Sequence, residues 1–277
     1  MSIRLIALDL DDTLLDSQKR LPERNKKALE ACIARGILIV PCTGRIVLGI
    51  PEEILGLPGI RYAITVNGGT LTDLKEDKIL DERLLSPQTA AEIYQMTDAY
   101  QVMCDAYIKG AGYSNRRCYE NMDKYRLPPV VQELIRKTRT PVDSVRDYIV
   151  SHNCKVDKLN LFFADQEERA KLRSELKERG DVLVSSSFPN NLEINALGAS
   201  KGEGIRRLAE ILGLKKEETM AFGDGENDLS IIGKVGISVA MENGDEKLKQ
   251  QADYTAPCND EAGVAQMIEK LVLSPLM

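Results

Sequence analysis

The chain has 277 residues, 43% of them hydrophobic and 29% charged, with a formal net charge of −6, which is material for one large or two modest domains. That acidic balance excludes a general nucleic-acid binder, which needs a basic surplus to release counterions from phosphates, while leaving a small phosphorylated substrate open. No apolar run approaches the ~20 residues that span a bilayer, and the six cysteines form no CxxC pair or metal-ligand spacing, so the expectation is a cytoplasmic protein with reduced, mostly buried thiols and no membrane partner.

In chain order, Ile3, Leu5, Ile6, Ala7 and Leu8 form a nearly continuous apolar run, the pattern of a strand buried on both faces. It delivers Asp9 and Asp11 to its carboxyl end, where open parallel sheets place their chemistry. After an irregular stretch, residues 22–36 predict an amphipathic helix with Pro22 in its first turn and Gly36 just past its end. Residues 37–42 predict a strand, 46–55 a helix and 62–66 a third strand. Such alternation argues for a parallel α/β sheet. Asn67-Gly68-Gly69 is a turn signal, and residues 70–80 alternate around a polar centre as a β-hairpin does.

Residues 84–190 read as a separate α+β module. It opens with a helix at Ser86-Pro87, then strand-like 101–108, two short helical stretches around Glu120 and Val131, a strand at 159–164, a helix at 166–179 and a strand at 182–186. The α/β pattern then resumes. Ser200 and Glu203 have capping-box spacing ahead of a helix to about Leu212. A strand at 219–223 runs into Asp224-Gly225-Glu226-Asn227-Asp228, followed by a helix near Leu229, a strand at 236–240, a short helix at 245–251 and a helix from 260 to 273. The simplest parse is an α/β domain of residues 1–83 and 191–277, interrupted by an α+β module of residues 84–190, with hinges near 82 and 190.

Four polar sites fall at strand ends or a helix start: Asp9 with Asp11, Thr43 with Gly44, Lys201, and Asp224 with Asp228. Phosphoryl transfer to a carboxylate uses that inventory, because it needs a nucleophile, a proton donor for the leaving oxygen, a dication and donors for the phosphoryl oxygens. Asp9 is the candidate nucleophile. Asp11, roughly 7 Å further along an extended chain, is the candidate acid and base. Asp224 and Asp228 offer hard oxygen ligands suited to Mg2+. Lys201 adds positive charge at a helix amino terminus, Thr43 offers a hydroxyl and a backbone N–H, and Gly44 lets the backbone approach the phosphate. An EF-hand reading of 224–235 fails, since Leu229 stands where that loop needs Gly and Val235 where it needs Glu. The lone histidine, His152, lies in the inserted module, and a surface or structural role is expected of it. Arg45 reads as structural or as a secondary anion contact, and Glu226 as solvated.

The segments DLDDT at 9–13, CTGR at 42–45, SKGEGI at 200–205 and GDGEND at 223–228 resemble the four motifs of the haloacid dehalogenase superfamily of phosphatases. The long insertion between the second and third resembles its Cof-like branch. The resemblance implies a Rossmann-like core, an inserted α/β cap that sets substrate specificity, and Mg2+-dependent hydrolysis of phosphomonoesters through an aspartyl-phosphate. It implies metal ligation by Asp9, the main-chain carbonyl of Asp11, Asp224 and, often through water, Asp228. The substrate and phosphate contacts expected are Thr43, Gly44, Asn67, Lys201 and Asn227. The expected partner is a small phosphorylated metabolite, sugar phosphates first, with the chain a monomer or homodimer. A phosphomutase and a non-catalytic phosphometabolite-binding regulator are the alternatives. Between Lys109 and Arg139 the cationic residues outnumber the acidic ones, and Arg116 and Arg117 are candidates for steering anionic substrates.

Overall fold

The computed structural model describes residues 2–274, apart from the side chain of Val130. Strand β1 (Leu5–Leu8) is buried throughout. Helix α1 (Glu23–Ala34) leads to β2 (Leu38–Pro41), which pairs parallel to β1 with Leu8 opposite Pro41. The helix expected at 46–55 is broken, because Pro51 cannot donate within a helix. A single turn at Val47–Gly49 precedes the short α2 (Glu52–Leu55). Strand β3 (Tyr62–Thr65), expected in the parallel sheet, lies beside β2 and joins it through a parallel bridge between Cys42 and Ile64. Its ladder is antiparallel instead, with β4 (Thr70–Asp73) and then β5 (Lys78–Glu82).

Residues 83–199 form a second compact unit. It contains α3 (Pro87–Thr97), capped by Ser86 as expected, β6 (Val102–Ile108), β7 (Ala111–Asn115), α4 (Arg116–Tyr119), α5 (Pro129–Thr138) and β8 (Arg139–Val142). Then come α6 (Val145–Ser151), β9 (Lys158–Phe163), α7 (Gln166–Arg179), β10 (Val182–Ser185) and β11 (Asn191–Ala196). The sheet runs β10-β11-β9-β6-β7-β8, antiparallel except between β7 and β8. Alternation divides its faces. Cys104, Ala106, Ile108, Leu159, Leu161, Phe163, Leu192 and Ile194 share a core with residues of α3, α6 and α7. Asp105, Lys158, Asn160, Glu193 and Asn195 alternate with them and are buried too. The sequence reading ends this module at 190; β11 pairs between β10 and β9, and the compact unit runs on to Ala199. His152 is exposed and stacks on Tyr148 at 4.3 Å, and Arg116 forms an exposed pair with Asp143.

The first unit resumes with α8 (Lys201–Ile211), β12 (Thr219–Gly223), β13 (Ile237–Met241), α9 (Glu246–Gln251), β14 (Tyr254–Ala256) and α10 (Gly263–Ile268). Its sheet is parallel throughout, in the order β14-β13-β12-β1-β2. Ile6 and Leu8 pack with residues of α1 and α10, whereas Leu5 and Ala7 pack with Ile205 and Leu208 of α8 and with Ile64. Leu8 is level with both Phe222 and Pro41. The register therefore brings the ends of β1, β12 and β2 together at the switch point of the strand order. No helix among the described residues is long and apolar enough to cross a membrane. All six cysteines are free, three of them buried and three half-buried.

Candidate active site

Beyond β1 the chain enters a wide turn in which Leu14 N–H donates to the Asp9 carbonyl (3.3 Å) and Leu15 N–H to that of Leu10 (2.9 Å). Within it Asp11 is extended and Asp12 has φ +60°. Asp9 is 7% exposed and Asp11 is half-buried. From β12, Asp224 and Asp228 enter the same space. Carboxylate oxygens of Asp9, Asp224 and Asp228 lie within 4.8 Å of one another.

Lys201 is the first residue of α8 and 1% exposed. Its Nζ lies 2.7 Å from Asp9 Oδ1 and 2.7 Å from Asp228 Oδ1. The helix comes this close because residue 202 is glycine: a Cβ there would stand 1.8 Å from the Ser230 carbonyl oxygen. Ser200 Oγ accepts from Glu203 N–H as expected (3.3 Å), but the Glu203 carboxylate turns to Arg206 and Lys234.

Charge is unbalanced in this cluster, with three carboxylates facing one ammonium. Burial drives the Asp9 carboxyl well above the usual range, Lys201 opposes that, and Asp228 and Asp224 add to it. Asp224 is pushed up to about 6 by burial and the Asp228 charge, against a hydrogen bond from Thr13 Oγ1 (2.8 Å). Burial would lower the Lys201 ammonium, yet Asp228 and Asp9 outweigh it and raise it. Asp228 Oδ2 also accepts from the N–H groups of Asp224 (3.1 Å) and Gly225 (3.0 Å). Hard oxygen donors in excess over positive charge are what a small dication requires. The residues fit Mg2+.

Asp11 is held apart from that cluster. Arg45 grips it with a two-pronged fork, Nε to Oδ2 at 2.7 Å and Nη2 to Oδ1 at 2.6 Å, and Lys19 Nζ stands 3.3 Å from Oδ1. Burial pushes the Asp11 carboxyl up, but the Arg45 and Lys19 contacts prevail and hold it below its ordinary value. Arg45 thus acts on Asp11, a role its sequence position did not reveal. Lys19 also escaped the sequence reading, and its own backbone has φ +60°. Thr13 lay inside the first motif, where the spacing of two carboxylates drew the attention.

Thr43 is 1% exposed, and its backbone N–H donates to the Ile64 carbonyl at 2.9 Å. That corrects the expectation of two donors, because the bridge to β3 takes the N–H. Its Oγ1 accepts from Arg45 N–H at 3.2 Å, which leaves the hydroxyl proton to donate. Gly44 beside it is half-buried. Val66 and Asn67 both have positive φ, +54° and +57°. For the β-branched Val66 that is a costly conformation, of the kind kept where neighbours impose it. Asn67 N–H donates to the Thr43 carbonyl (3.0 Å), and Asn67 Oδ1 accepts from Asn227 Nδ2 (3.2 Å). The catalytic, phosphate-binding and metal-ligating residues expected from the sequence all lie in the first unit, and the steering candidates Arg116 and Arg117 lie in the second.

A family model described as haloacid dehalogenase-like hydrolase matches residues 6–268. The chain is 29% identical to the 5-amino-6-(5-phospho-D-ribitylamino)uracil phosphatase YcsE of Bacillus subtilis, over 99% of this chain and 97% of that one. It is 30% identical to the phosphatase YwpJ of the same organism, over 98% and 100%. Among solved structures, a haloacid dehalogenase-like hydrolase from B. subtilis superposes with a TM-score of 0.86 at 26% identity, covering 98% of this chain and 100% of that one.

Proposed function

The chain belongs to the haloacid dehalogenase-like hydrolases and is a phosphatase of that family, and from that premise we propose that it hydrolyses phosphomonoesters of small polyhydroxylated metabolites, sugar phosphates first, through a phosphoryl group carried on Asp9. The observation that carries this reading is the meeting of three separate stretches of chain: carboxylate oxygens of Asp9, Asp224 and Asp228 lie within 4.8 Å of one another, and Lys201 Nζ stands 2.7 Å from both Asp9 and Asp228. Asp9, Asp224 and Asp228, with the main-chain carbonyl of Asp11, would hold Mg2+, which when bound supplies positive charge against the phosphate oxygens.

An Asp9 oxygen attacks phosphorus, and the bond from phosphorus to the ester oxygen breaks. The departing alkoxide takes a proton from Asp11. Water then attacks the phosphorus of the aspartyl-phosphate, Asp11 takes the proton back, and phosphate leaves as Asp9 is regenerated. Lys201, the Thr43 hydroxyl and the Gly44 backbone serve the phosphoryl oxygens, with Asn67 and Asn227 beside the ester group. The fork from Arg45 favours ionised Asp11, the form needed to accept the water's proton. For the first half-reaction Asp11 must release Arg45 and carry a proton.

YcsE is named for a substrate with a phosphorylated ribityl chain. That supports starting with acyclic sugar-alcohol and sugar monophosphates. The test is a phosphate-release screen over sugar, nucleotide and cofactor monophosphates and aryl phosphates, with Mg2+ and with EDTA, beside Asp9→Asn. Release by the wild type with Mg2+, absent with EDTA and absent in Asp9→Asn, is expected. Release that survives Asp9→Asn would remove the nucleophile, and no release from any compound would remove the proposed reaction.

A further inference from the structure

The wide turn after β1 leaves its carbonyls at positions 12, 14 and 15 without helical partners downstream, because the chain turns extended at Leu15. Three asparagine amides meet them. Asn25 Nδ2 donates to the Leu14 carbonyl (2.9 Å), Asn259 Nδ2 to that of Leu15 (3.0 Å) and Asn243 Nδ2 to that of Asp12 (2.8 Å). The amides are fixed in turn. Asn25 Oδ1 accepts from Ala265 N–H at 2.9 Å, and Asn243 Oδ1 accepts from Asn259 N–H at 3.0 Å. Asn25 and Asn259 are 0% and 5% exposed, and Asn243 is exposed.

The segment carrying Asn243 also holds the other side of the site. Asp245 N–H donates to the Asp224 carbonyl at 2.6 Å. Gly244 lies against the Asp224 main chain, where a Cβ would come within 2.6 Å of that carbonyl oxygen. Thr13, between the clamped carbonyls, donates to the Asp224 carboxylate.

From this geometry we infer that Asn25, Asn243 and Asn259 are positioning residues: their amides set the register of residues 12–15 against the 243–245 segment, and so the spacing of the Asp9 and Asp224 oxygens that take the cation. Their amides bond to main-chain groups rather than to the Asp9 or Asp224 carboxylates. The inference rests on the proposed phosphatase site, and it adds a function for residues that the motifs leave out. Outer partners that orient ligating carboxylates typically carry tenfold to a hundredfold in metal affinity.

Asn243→Asp isolates the effect, since it keeps the shape and the oxygen that serves Asn259 while presenting an oxygen to the Asp12 carbonyl. Asn243→Ala is the second variant, and as the residue is exposed both are expected to fold. Mn2+ binding by the full chain is read from the free-ion EPR signal, beside metal-free Tm and kcat and KM for an aryl phosphate. The expected result is a Mn2+ Kd raised about tenfold or more with Tm nearly unchanged, and kcat lowered at saturating metal while KM holds. Wild-type Mn2+ affinity in both variants would overturn the clamp and leave the phosphatase reading intact. A wild type that binds Mn2+ but releases no phosphate, with weakened binding in the variants, would keep the clamp and overturn the proposed reaction.

Discussion

Each unit buries a cluster of charge, and the two clusters are built on opposite principles. In the first unit Lys201 faces Asp9, Asp224 and Asp228, an excess of two negative charges when all are ionised. In the second, Arg139 meets Asp105 at 3.0 Å and Lys158 meets Glu193 at 2.7 Å, with both cations over the Tyr107 ring at 4.4 and 5.2 Å. In each of these pairs one cation faces one carboxylate. Paired buried charges compensate each other, whereas an unmatched set keeps a place for a charge from outside. Imbalance, more than burial, separates a site from a strut here.

The comparison is broken most forcefully in the first cluster. Asp9→Asn should abolish phosphate release, a loss of about a thousandfold or more if the nucleophile acts with its partners as a unit, while metal-free Tm holds or rises because one surplus charge is gone. Lys201→Met should abolish activity too, but with a fall in stability of about 3–5 kcal/mol, the cost of leaving buried charge uncompensated. Opposite Tm responses from two inactive variants would be the signature of surplus negative charge; equal falls would refute it.

In the second cluster Arg139→Met should cost a similar ~3–5 kcal/mol, read by denaturant unfolding, because Asp105 is 0% exposed. Mn2+ affinity should not move.

A smaller effect separates the clusters by pH. Asp224 is held at about 6 in the folded chain, above its ordinary value, so between the two values the folded state binds more protons than the unfolded. Stability of the metal-free chain should therefore rise as pH falls from 7 toward 5, and saturating Mg2+ should flatten that slope. A metal-free Tm that falls over this range would contradict the excess of charge.

The smallest change is expected of the paired replacement Lys158→Met with Glu193→Leu. Removing both members of a matched buried pair is often neutral or stabilising, so Tm should stay within a few degrees. A large loss would show that this pair serves more than its own balance.

Much of the site was legible because its groups are announced locally. Apolar runs ending in Asp9 and Asp224 mark parallel strands, and the serine before Lys201 marks a helix start. What could not be read depends on partners distant in the chain. The fork from Arg45 to Asp11 spans 34 positions, and nothing near either residue encodes it. The Thr43 N–H looked available until the fold set Ile64 beside it. Residues 191–196 alternate as any half-polar strand does, and only pairing with β9 shows which sheet they complete. Pro51 is the exception, a local breaker that the apolar pattern around it disguised.

The placement of β1 between β2 and β12 has a consequence for biogenesis. Thr13 and the Asp224 carboxylate it donates to are 211 positions apart, so during synthesis β1 and Asp9 emerge well before the strand that must pair beside them. Contacts of such long separation form late. A product that stops before β12, however well its inserted unit folds, holds Asp9 without Asp224, and the proposed site cannot assemble in it.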